Sequence, residues 1–352
     1  MRLSDFSQDR NNNFNLIRIV AALAVLVSHS FPLAIGHNGA DPLKEIIGMT
    51  MGNIAVDVFF ITSGFLVTSS LLNRQSIIGF VWARVLRIFP ALLAMLLLTI
   101  FVLGVYFTSW SILNYLSSGS TYIYLAKCST LITGVAFNLP GVFANVPYSH
   151  YVNGSLWTMT HEVRLYAILA LIWIILRIAP NRLYAFNITI VALAFVSGFY
   201  LLVSHFRFST THPFAGFFFM FFVGAAFYIL KQHIVLLRWL LWFFVAGLLL
   251  AAVSKQAFFV VYVFTIAYIL FYVAYVPSGF VRKYNQLGDY SYGIYIYAWP
   301  MQQSVAALIP GVTVFQMILI SGIATLSLAI LSWHLLEQRA LNLKANCIGH
   351  AK

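Results

Sequence analysis

Long apolar runs recur along the whole chain, and each is bounded by polar, glycine or proline residues. A run of about 20 apolar residues is long enough to cross the hydrocarbon core of a bilayer as an α-helix. The pattern therefore predicts an all-α fold, a polytopic integral membrane bundle of about ten transmembrane helices. The predicted helices cover residues 15–35, 52–72, 84–107, 160–179, 184–203, 213–230, 235–253, 257–276, 288–307 and 314–335.

The connections between these helices are mostly short, so we expect one membrane domain over residues 1–352, without a fused extracytoplasmic domain. Basic residues are more frequent in the connections on one side of the predicted topology than on the other. Because cytoplasmic connections carry the excess of Lys and Arg, this bias predicts that both termini are cytoplasmic.

Composition agrees with a membrane setting and excludes some classes of function. Apolar residues make up 62% of the chain and charged residues 8%, whereas soluble domains carry about 25% charged residues. The net charge of +12 is spread singly between apolar runs, so it does not form the basic stripe of a nucleic-acid-binding surface. No nucleic-acid partner is expected.

The cysteines and histidines do not predict a redox or metal site. Cys128 and Cys347 are the only cysteines, and the predicted topology puts them on opposite sides of the membrane, so they cannot pair within one chain. His29, His161 and the carboxylates lack the local spacing of metal ligands, so no metal is expected.

Charged residues within predicted spans are costly in lipid and are therefore candidates for function. Arg18 and His29 lie on the first helix, and their separation corresponds to about three turns and ~16 Å of rise. They share a face at different depths, a geometry suited to one long ligand that touches both. The alternative is an arginine that extends to the membrane surface and a histidine satisfied by a neighbouring helix.

Asp57 enters the second helix near the predicted depth of His29. A carboxylate there can orient an imidazole and favour its charged form, and the alternative is an ion pair that only holds helices together. Ser63 and Gly64 follow in the same helix. Such small residues allow a cofactor or a neighbouring helix to approach the backbone closely, so cofactor binding and helix packing both stay open.

Arg84 and Arg87 stand three residues apart at the predicted cytoplasmic mouth of the third helix. Paired guanidinium groups suit phosphates, which they bind with two hydrogen bonds each; the alternative is the ordinary excess of basic residues on the cytoplasmic side.

Polar residues also crowd the start of the fourth helix and the ninth helix. Trp157, His161, Glu162 and Arg164 lie within eight residues of one another, and Glu162 is the second candidate for catalysis after His29. The segment GDYSYGIYIYAWP at 288–300 carries several tyrosines. Its tyrosines form a belt at the membrane interface or line a cavity with hydroxyl groups.

Several motifs occur in a familiar order along the chain. They are Arg18 and His29 as R-x10-H, VDVFFITSGFL at 56–66, RVLRIFP at 84–90, NGSLWTMTHE at 153–162 and GDYSYGIYIY at 288–297. With this set the chain resembles the acyltransferase 3 family of membrane-bound acyltransferases, from Asn15 to about Leu343.

The resemblance implies an O-acetyltransferase of the bacterial inner membrane that moves acetyl from cytoplasmic acetyl-CoA to a sugar hydroxyl. The implied acceptor is a cell-surface polysaccharide or a lipid-linked oligosaccharide, such as O-antigen or exopolysaccharide. By the resemblance His29 is the catalytic histidine, and Arg18, Arg84 and Arg87 bind the donor. From their positions in the predicted spans and motifs we expect Asp57 and Glu162 to take part in catalysis and Ser63 and Gly64 in donor binding. The candidates for substrate binding are Trp157, Tyr290 and Tyr292.

Residues 108–159 form the longest connection, rich in Tyr, Ser, Asn and Gly, and in the predicted topology they lie outside. Their apolar, aromatic character suits a re-entrant or interfacial segment that covers a sugar-binding cleft.

The chain departs from the family pattern in ways that limit the analogy. Ala298 stands before Trp299 and Pro300 where many relatives have a histidine, and Glu337-Gln338-Arg339 stands where many have Glu-x-Pro. The identity of the transferred group therefore stays open, and succinyl is an alternative to acetyl. The acceptor also stays open, with periplasmic glucan, peptidoglycan or a small molecule as alternatives. A flippase or transporter of lipid-linked sugars is a further alternative, because intramembrane Arg, His and Glu also mark transport pathways. The sequence leaves the oligomeric state open.

Overall fold

The structure of the protein is a computed structural model that describes residues 2–6, 11–37, 39–74, 76–208 and 212–346. Cys347 lies outside these residues. Within the described part of the chain the fold is all-α, and extended backbone pairing is limited to isolated bridges, Arg2 with Val235 and Thr108 with Val142. The predicted fold class is confirmed.

Each of the predicted spans coincides with a helix, although several boundaries differ. In chain order the α-helices are α1 (Leu3–Phe6), α2 (Phe14–Ile35), α3 (Pro42–Ile47), α4 (Met51–Arg74), α5 (Ile77–Leu98), α6 (Val105–Phe107), α7 (Ile112–Ser117), α8 (Gly119–Thr130), α9 (Leu156–Ile175), α10 (Arg182–Phe208), α11 (Pro213–Ile229), α12 (Arg238–Ala251), α13 (Lys255–Tyr275), α14 (Phe280–Lys283), α15 (Ser291–Leu308), α16 (Val314–Ser332) and α17 (Gln338–Asn346).

Among the described residues, 7 helical runs are long and apolar enough to cross a membrane. They are Phe14–Ile35, Met51–Arg74, Ile77–Phe107, Leu156–Ile178, Arg182–Arg207, Lys255–Tyr275 and Val314–Leu343. The helices α11 and α12 are apolar but shorter. The protein is a multi-pass membrane protein, and the criterion of length and apolarity identifies fewer spans than the predicted count of about ten.

The third long helix begins at Ile77, before the predicted start at residue 84. The apolar residues of 77–82 extend the helix toward the N-terminus, so Arg84 and Arg87 lie inside α5 rather than at its beginning. A π-helical segment, Thr99–Gly104, continues α5 into α6. The segment after it contains the short helices α7 and α8, where the sequence predicts a re-entrant or interfacial connection.

The chain is divided into two compact units whose segments alternate along the sequence. The first unit is formed by Met1–Ala21, Pro42–Ile77 and Arg164–Leu287, and the second unit by Ala22–Asp41, Ile78–Val163 and Gly288–Lys352. The single membrane domain proposed from the sequence stays a prediction.

In the first unit, α4 and α11 are in close contact through glycines. A Cβ atom on Gly64 would overlap the carbonyl oxygen of Phe221, and one on Gly224 would overlap that of Ile61. Such small residues allow helix backbones to approach where packing has to hold helices together in lipid. Gly64 therefore has a packing function in this structure.

In the second unit, tyrosines of α15 bond backbone carbonyl groups of other segments. The Tyr292 hydroxyl donates to the carbonyl of Ile88 at 2.8 Å, and the Tyr295 hydroxyl donates to that of Ser155 at 3.1 Å. These side chains are buried, and burial of a hydroxyl costs free energy unless the hydroxyl is hydrogen-bonded. The tyrosines of the 288–297 motif thus connect α15 to α5 and to the segment before α9.

Candidate active site

His29 lies on α2 against the ring of Trp299, a residue of α15. The two ring centroids are 4.8 Å apart and the ring planes meet at 70°, an edge-to-face arrangement. The Nδ1 atom of His29 is buried and makes no hydrogen bond within the described part of the chain. This nitrogen therefore has hydrogen-bonding capacity that the surrounding described residues do not use.

The turns on either side of His29 are held by a glutamine and an aspartate. The Gln302 side-chain amide donates to the carbonyl of Leu26 and to the hydroxyl of Ser30, both at 2.7 Å. The Ser28 hydroxyl donates to the carboxylate of Asp41 at 2.5 Å, and Asp41 is near enough to act on His29 electrostatically. Both Gln302 and Asp41 are buried.

Asp41 and Gln302 are not among the site residues that the sequence predicts. Asp41 follows the first predicted span and Gln302 is uncharged, so neither is a charge inside a predicted helix. The available signal for Gln302 was its place two residues after Pro300 at the end of the tyrosine-rich motif.

Asp57 lies in the first unit and accepts a hydrogen bond of 2.9 Å from the hydroxyl of Tyr262 on α13. Both side chains are buried. Ser63, one and a half turns further along α4, lies 3.3 Å from the hydroxyl of Tyr166. The predicted interaction of Asp57 with His29 and the predicted contact of Ser63 with a cofactor stay predictions.

Arg87 is enclosed by carboxylates in the second unit. One nitrogen of its guanidinium group lies 2.6 Å from Asp289 and another lies 3.6 Å from Glu337. The group also lies 5.7 Å from the centre of the Tyr292 ring. Arg84, three residues earlier on α5, is half-buried. The positive charge of Arg87 is therefore already balanced by the protein.

Glu162 is near enough to Tyr292 and Tyr295, two tyrosines of α15, to act on both electrostatically. Trp157 packs edge to face against His161, one turn further on, with ring centroids 5.4 Å apart. The second unit thus brings Glu162 close to two of the predicted motif tyrosines.

The other predicted residues have more local surroundings. The Tyr290 hydroxyl lies 3.4 Å from Nε2 of His334. Arg18 is half-buried on α2, and Arg164 is exposed at the point where α9 enters the first unit.

The segment between α6 and α9 holds buried tyrosine and cysteine side chains outside the candidate spans. The Tyr115 hydroxyl donates to the carbonyl of Ile100 at 2.9 Å, and the Cys128 thiol donates to that of Ala136 at 3.3 Å. Burial raises the pKa of Tyr115 to about 12 and the pKa of Cys128 to about 11. Cys128 is therefore a neutral thiol at physiological pH, unlike a catalytic cysteine.

The fold and this site define a multi-pass helical membrane protein that carries a histidine and charged side chains on its long apolar helices. The chain belongs to the acyltransferase 3 family, because the family's sequence model for the acyltransferase domain matches residues 11–334. It is therefore an acyltransferase, and the predicted family and enzyme class are confirmed.

Two relatives match nearly the whole chain. "Nodulation protein 10" of Rhizobium leguminosarum bv. viciae is 31% identical, with 98% of this chain and 97% of that protein covered. "O-acetyl transferase" of Shigella phage Sf6 is 30% identical, with 94% of this chain and 96% of that protein covered. No solved structure matches the chain significantly.

Proposed function

We propose that the protein is an O-acetyltransferase that moves acetyl from acetyl-CoA to a sugar hydroxyl of a cell-surface polysaccharide, such as O-antigen or exopolysaccharide. The observation that carries this proposal is the match to the phage O-acetyl transferase over 94% of this chain. That name states both the transferred group and the transfer to oxygen. The polysaccharide acceptor and the CoA donor rest on the motif resemblance.

In the proposed reaction His29 acts as general base. It takes the proton of the sugar hydroxyl while that oxygen attacks the thioester carbonyl carbon. A carbon–oxygen bond forms, the carbon–sulfur bond breaks, and the departing thiolate takes the proton from the imidazolium. The products are the acetylated sugar and free CoA. An acyl-histidine intermediate is the alternative route.

The surroundings of His29 support this role because they restrict its ring and its helix. Trp299 contacts the ring, and Gln302 bonds the backbone one turn before it. The carboxylate of Asp41 stabilises the positive charge that the imidazole gains when it takes a proton. Glu162, beside the tyrosines of α15, is proposed to contribute negative charge to the same unit.

Arg18, Arg84 and Arg87 are proposed to bind the phosphates of the donor. Guanidinium groups are suited to phosphate, but Arg87 already contacts Asp289 and Glu337. A phosphate at Arg87 has to compete with these carboxylates. Trp157, Tyr290 and Tyr292 are proposed as substrate-binding residues. Gly64 already packs against Phe221, which leaves donor binding by Gly64 without support.

We place the protein in the bacterial inner membrane with both termini in the cytoplasm. The distribution of basic residues supports this orientation. The donor would then enter from the cytoplasm, where acetyl-CoA is made.

The proposal is tested by transfer of radiolabelled acetyl from acetyl-CoA to surface glycan in membrane vesicles. We compare the native protein with His29→Ala and with His233→Ala, a control that removes an exposed histidine of the first unit. The native protein and the control should label the glycan, and His29→Ala should lose activity by about a hundredfold or more. Full transfer by His29→Ala would remove His29 from the mechanism. Transfer from succinyl-CoA alone would refute the acetyl donor.

A further inference from the structure

A continuous row of aromatic rings leads to His29 within the second unit. Ring centroids are 5.1 Å apart between Phe137 and Tyr151, 5.2 Å between Tyr151 and Tyr148, and 5.8 Å between Tyr148 and Trp299. Trp299 in turn contacts His29. We call Phe137, Tyr151, Tyr148 and Trp299 the aromatic row.

The aromatic row runs from the surface to the interior. The exposed fraction is 37% for Tyr151 and 7% for Trp299, and Tyr148 and Phe137 are half-buried. A molecule that reaches Tyr151 from the surrounding solvent is therefore two ring contacts from Trp299 and three from His29.

Hydrogen bonds hold the outer end of the aromatic row against α15. The Gln303 amide donates to the carbonyl of Tyr148 at 2.7 Å and to that of Tyr151 at 2.6 Å. The indole nitrogen of Trp299 donates to the carbonyl of Tyr151 at 3.1 Å. These bonds are accepted by the backbone carbonyl groups of Tyr148 and Tyr151. The row is thus a preformed surface, which lowers the entropy cost of binding.

Aromatic rings beside a few polar groups suit one class of ligand here. The apolar C–H faces of a pyranose ring stack on aromatic faces, while its hydroxyls bond to neighbouring polar atoms. Gln303 is fully buried, and its Oε1 makes no hydrogen bond within the described residues. The Tyr151 hydroxyl and this buried amide provide polar groups next to the aromatic row.

An aromatic belt at the membrane interface does not account for the aromatic row. Belt residues lie at the level of the lipid headgroups, whereas the aromatic row continues inward to Trp299, which is 7% exposed. The rings of the row touch one another and end at the ring of His29.

We propose that Tyr151 and Tyr148 form the stacking subsite for a pyranose ring of the acceptor glycan and direct its hydroxyl toward His29. This inference rests on the proposed function, since it takes a glycan as the acceptor. It assigns acceptor recognition to the segment 137–151, while the donor role stays with the arginines. Trp299 connects the subsite to the reacting hydroxyl.

The test measures acetyl transfer from acetyl-CoA and glycan binding with purified protein in lipid nanodiscs. The acceptor probe is surface glycan isolated from cells that carry only the His29→Ala protein, because that glycan is unacetylated. The variants are Tyr151→Ala, Tyr151→Trp, which keeps an aromatic ring, and Tyr122→Ala. Tyr122 is a matched control because it lies in the same outer segment, is 52% exposed and is outside the aromatic row.

Tyr151→Ala should raise the KM for glycan about tenfold and leave the KM for acetyl-CoA within twofold. Tyr151→Trp keeps a stacking face and should raise the KM for glycan less than Tyr151→Ala does, and Tyr122→Ala should behave like the native protein. An unchanged KM for glycan in Tyr151→Ala, or a change only in the KM for acetyl-CoA, would overturn the subsite. An equal effect of Tyr122→Ala would do the same, because it would point to membrane anchoring.

Calorimetric binding of the glycan in the His29→Ala background separates this inference from the proposed function. Binding that is lost with the added Tyr151→Ala change supports the subsite even when the native protein uses another acyl donor. Binding that is kept refutes the subsite even when the native protein transfers acetyl. If the His29→Ala protein itself does not bind the glycan, the subsite is refuted as well.

Discussion

Arg87 and Asp289 form an ion pair of 2.6 Å between residues 202 positions apart in the chain. Asp289 also accepts a bond of 2.5 Å from the hydroxyl of Ser291 at the start of α15. Glu337 adds a second carboxylate at 3.6 Å from the guanidinium group. The pair connects α5 to the beginning of α15 within the second unit.

Asp289→Ala should lower the free energy of unfolding by about 2 kcal/mol, because it removes the closest counter-charge of a largely buried guanidinium group. The measurement is chemical denaturation in detergent. A double-mutant cycle with Arg87→Ala should give a coupling of about 1–3 kcal/mol. Additive losses would contradict a direct contribution of the pair to stability.

Gly64→Ala should destabilise the first unit by about 1–3 kcal/mol, because the added methyl group overlaps the carbonyl of Phe221 and forces α4 and α11 apart. Thermal unfolding in detergent measures this loss. Gly216→Ala is the matched control on α11, since nothing lies within 4 Å of its Cβ position. Equal stability of the two variants would disprove the close contact.

Gln302→Leu should lower kcat by about tenfold to a hundredfold, because it releases the backbone of the turn that carries His29. Gln302 acts through His29, so the KM values of both substrates should stay within twofold. Ser304→Ala is the control on the same helix, as its hydroxyl bonds only the carbonyl of Pro300 among the bonds described. Rising KM values with a constant kcat would instead assign Gln302 to substrate binding.

Tyr262→Phe should destabilise the first unit by about 1–3 kcal/mol, because it removes the hydroxyl that bonds the buried carboxylate of Asp57. Denaturation in detergent is the measurement. Asp57→Asn keeps an acceptor for this hydroxyl and should lose less stability than Asp57→Ala. The opposite order would mean that the charge of Asp57, rather than its bond to Tyr262, determines its contribution.

Cys128 should resist alkylation in the folded protein. Burial raises the pKa of its thiol from 9.0 to about 11, so the thiolate fraction at pH 8 is about a hundredfold below that of an ordinary thiol. In a Cys347→Ser background, iodoacetamide at pH 8 should modify Cys128 only after denaturation, as followed by mass. The control replaces Cys128 by serine and introduces Tyr122→Cys at an exposed position, which should react quickly.

The same thiol predicts the sign of a pH effect on stability. Because the folded state raises the pKa of the Cys128 thiol, it favours the protonated form of that thiol. The resulting contribution to the free energy of unfolding is present below about pH 9 and is lost as the pH rises toward about 11. Between pH 8 and pH 10, the Cys128→Ser variant should lose less unfolding free energy than the native protein does. Identical pH profiles of the two proteins would exclude this titration.

The sequence alone determined the all-α membrane fold and the family. Apolarity and length are local properties of a run, so each predicted span coincides with a helix in the structure. Local signals were weaker at the ends of helices and in the connection formed by residues 108–159. There Ser111 caps α7 through a bond to the backbone of Asn114, which the predicted loop did not include.

Candidate residues came from the sequence, but their partners came only from the tertiary structure. Arg87 and His29 were recognised as unusual charges in apolar runs. Their contacts lie some 200 or more residues away along the chain, Asp289 just before α15 and Trp299 within it. Which side chains meet depends on which helices pack together and in what register, and hydrophobic pattern does not specify either. Only the folded chain therefore decided that Arg87 is held by carboxylates, that Gly64 packs against α11, and that aromatic rings lead to His29.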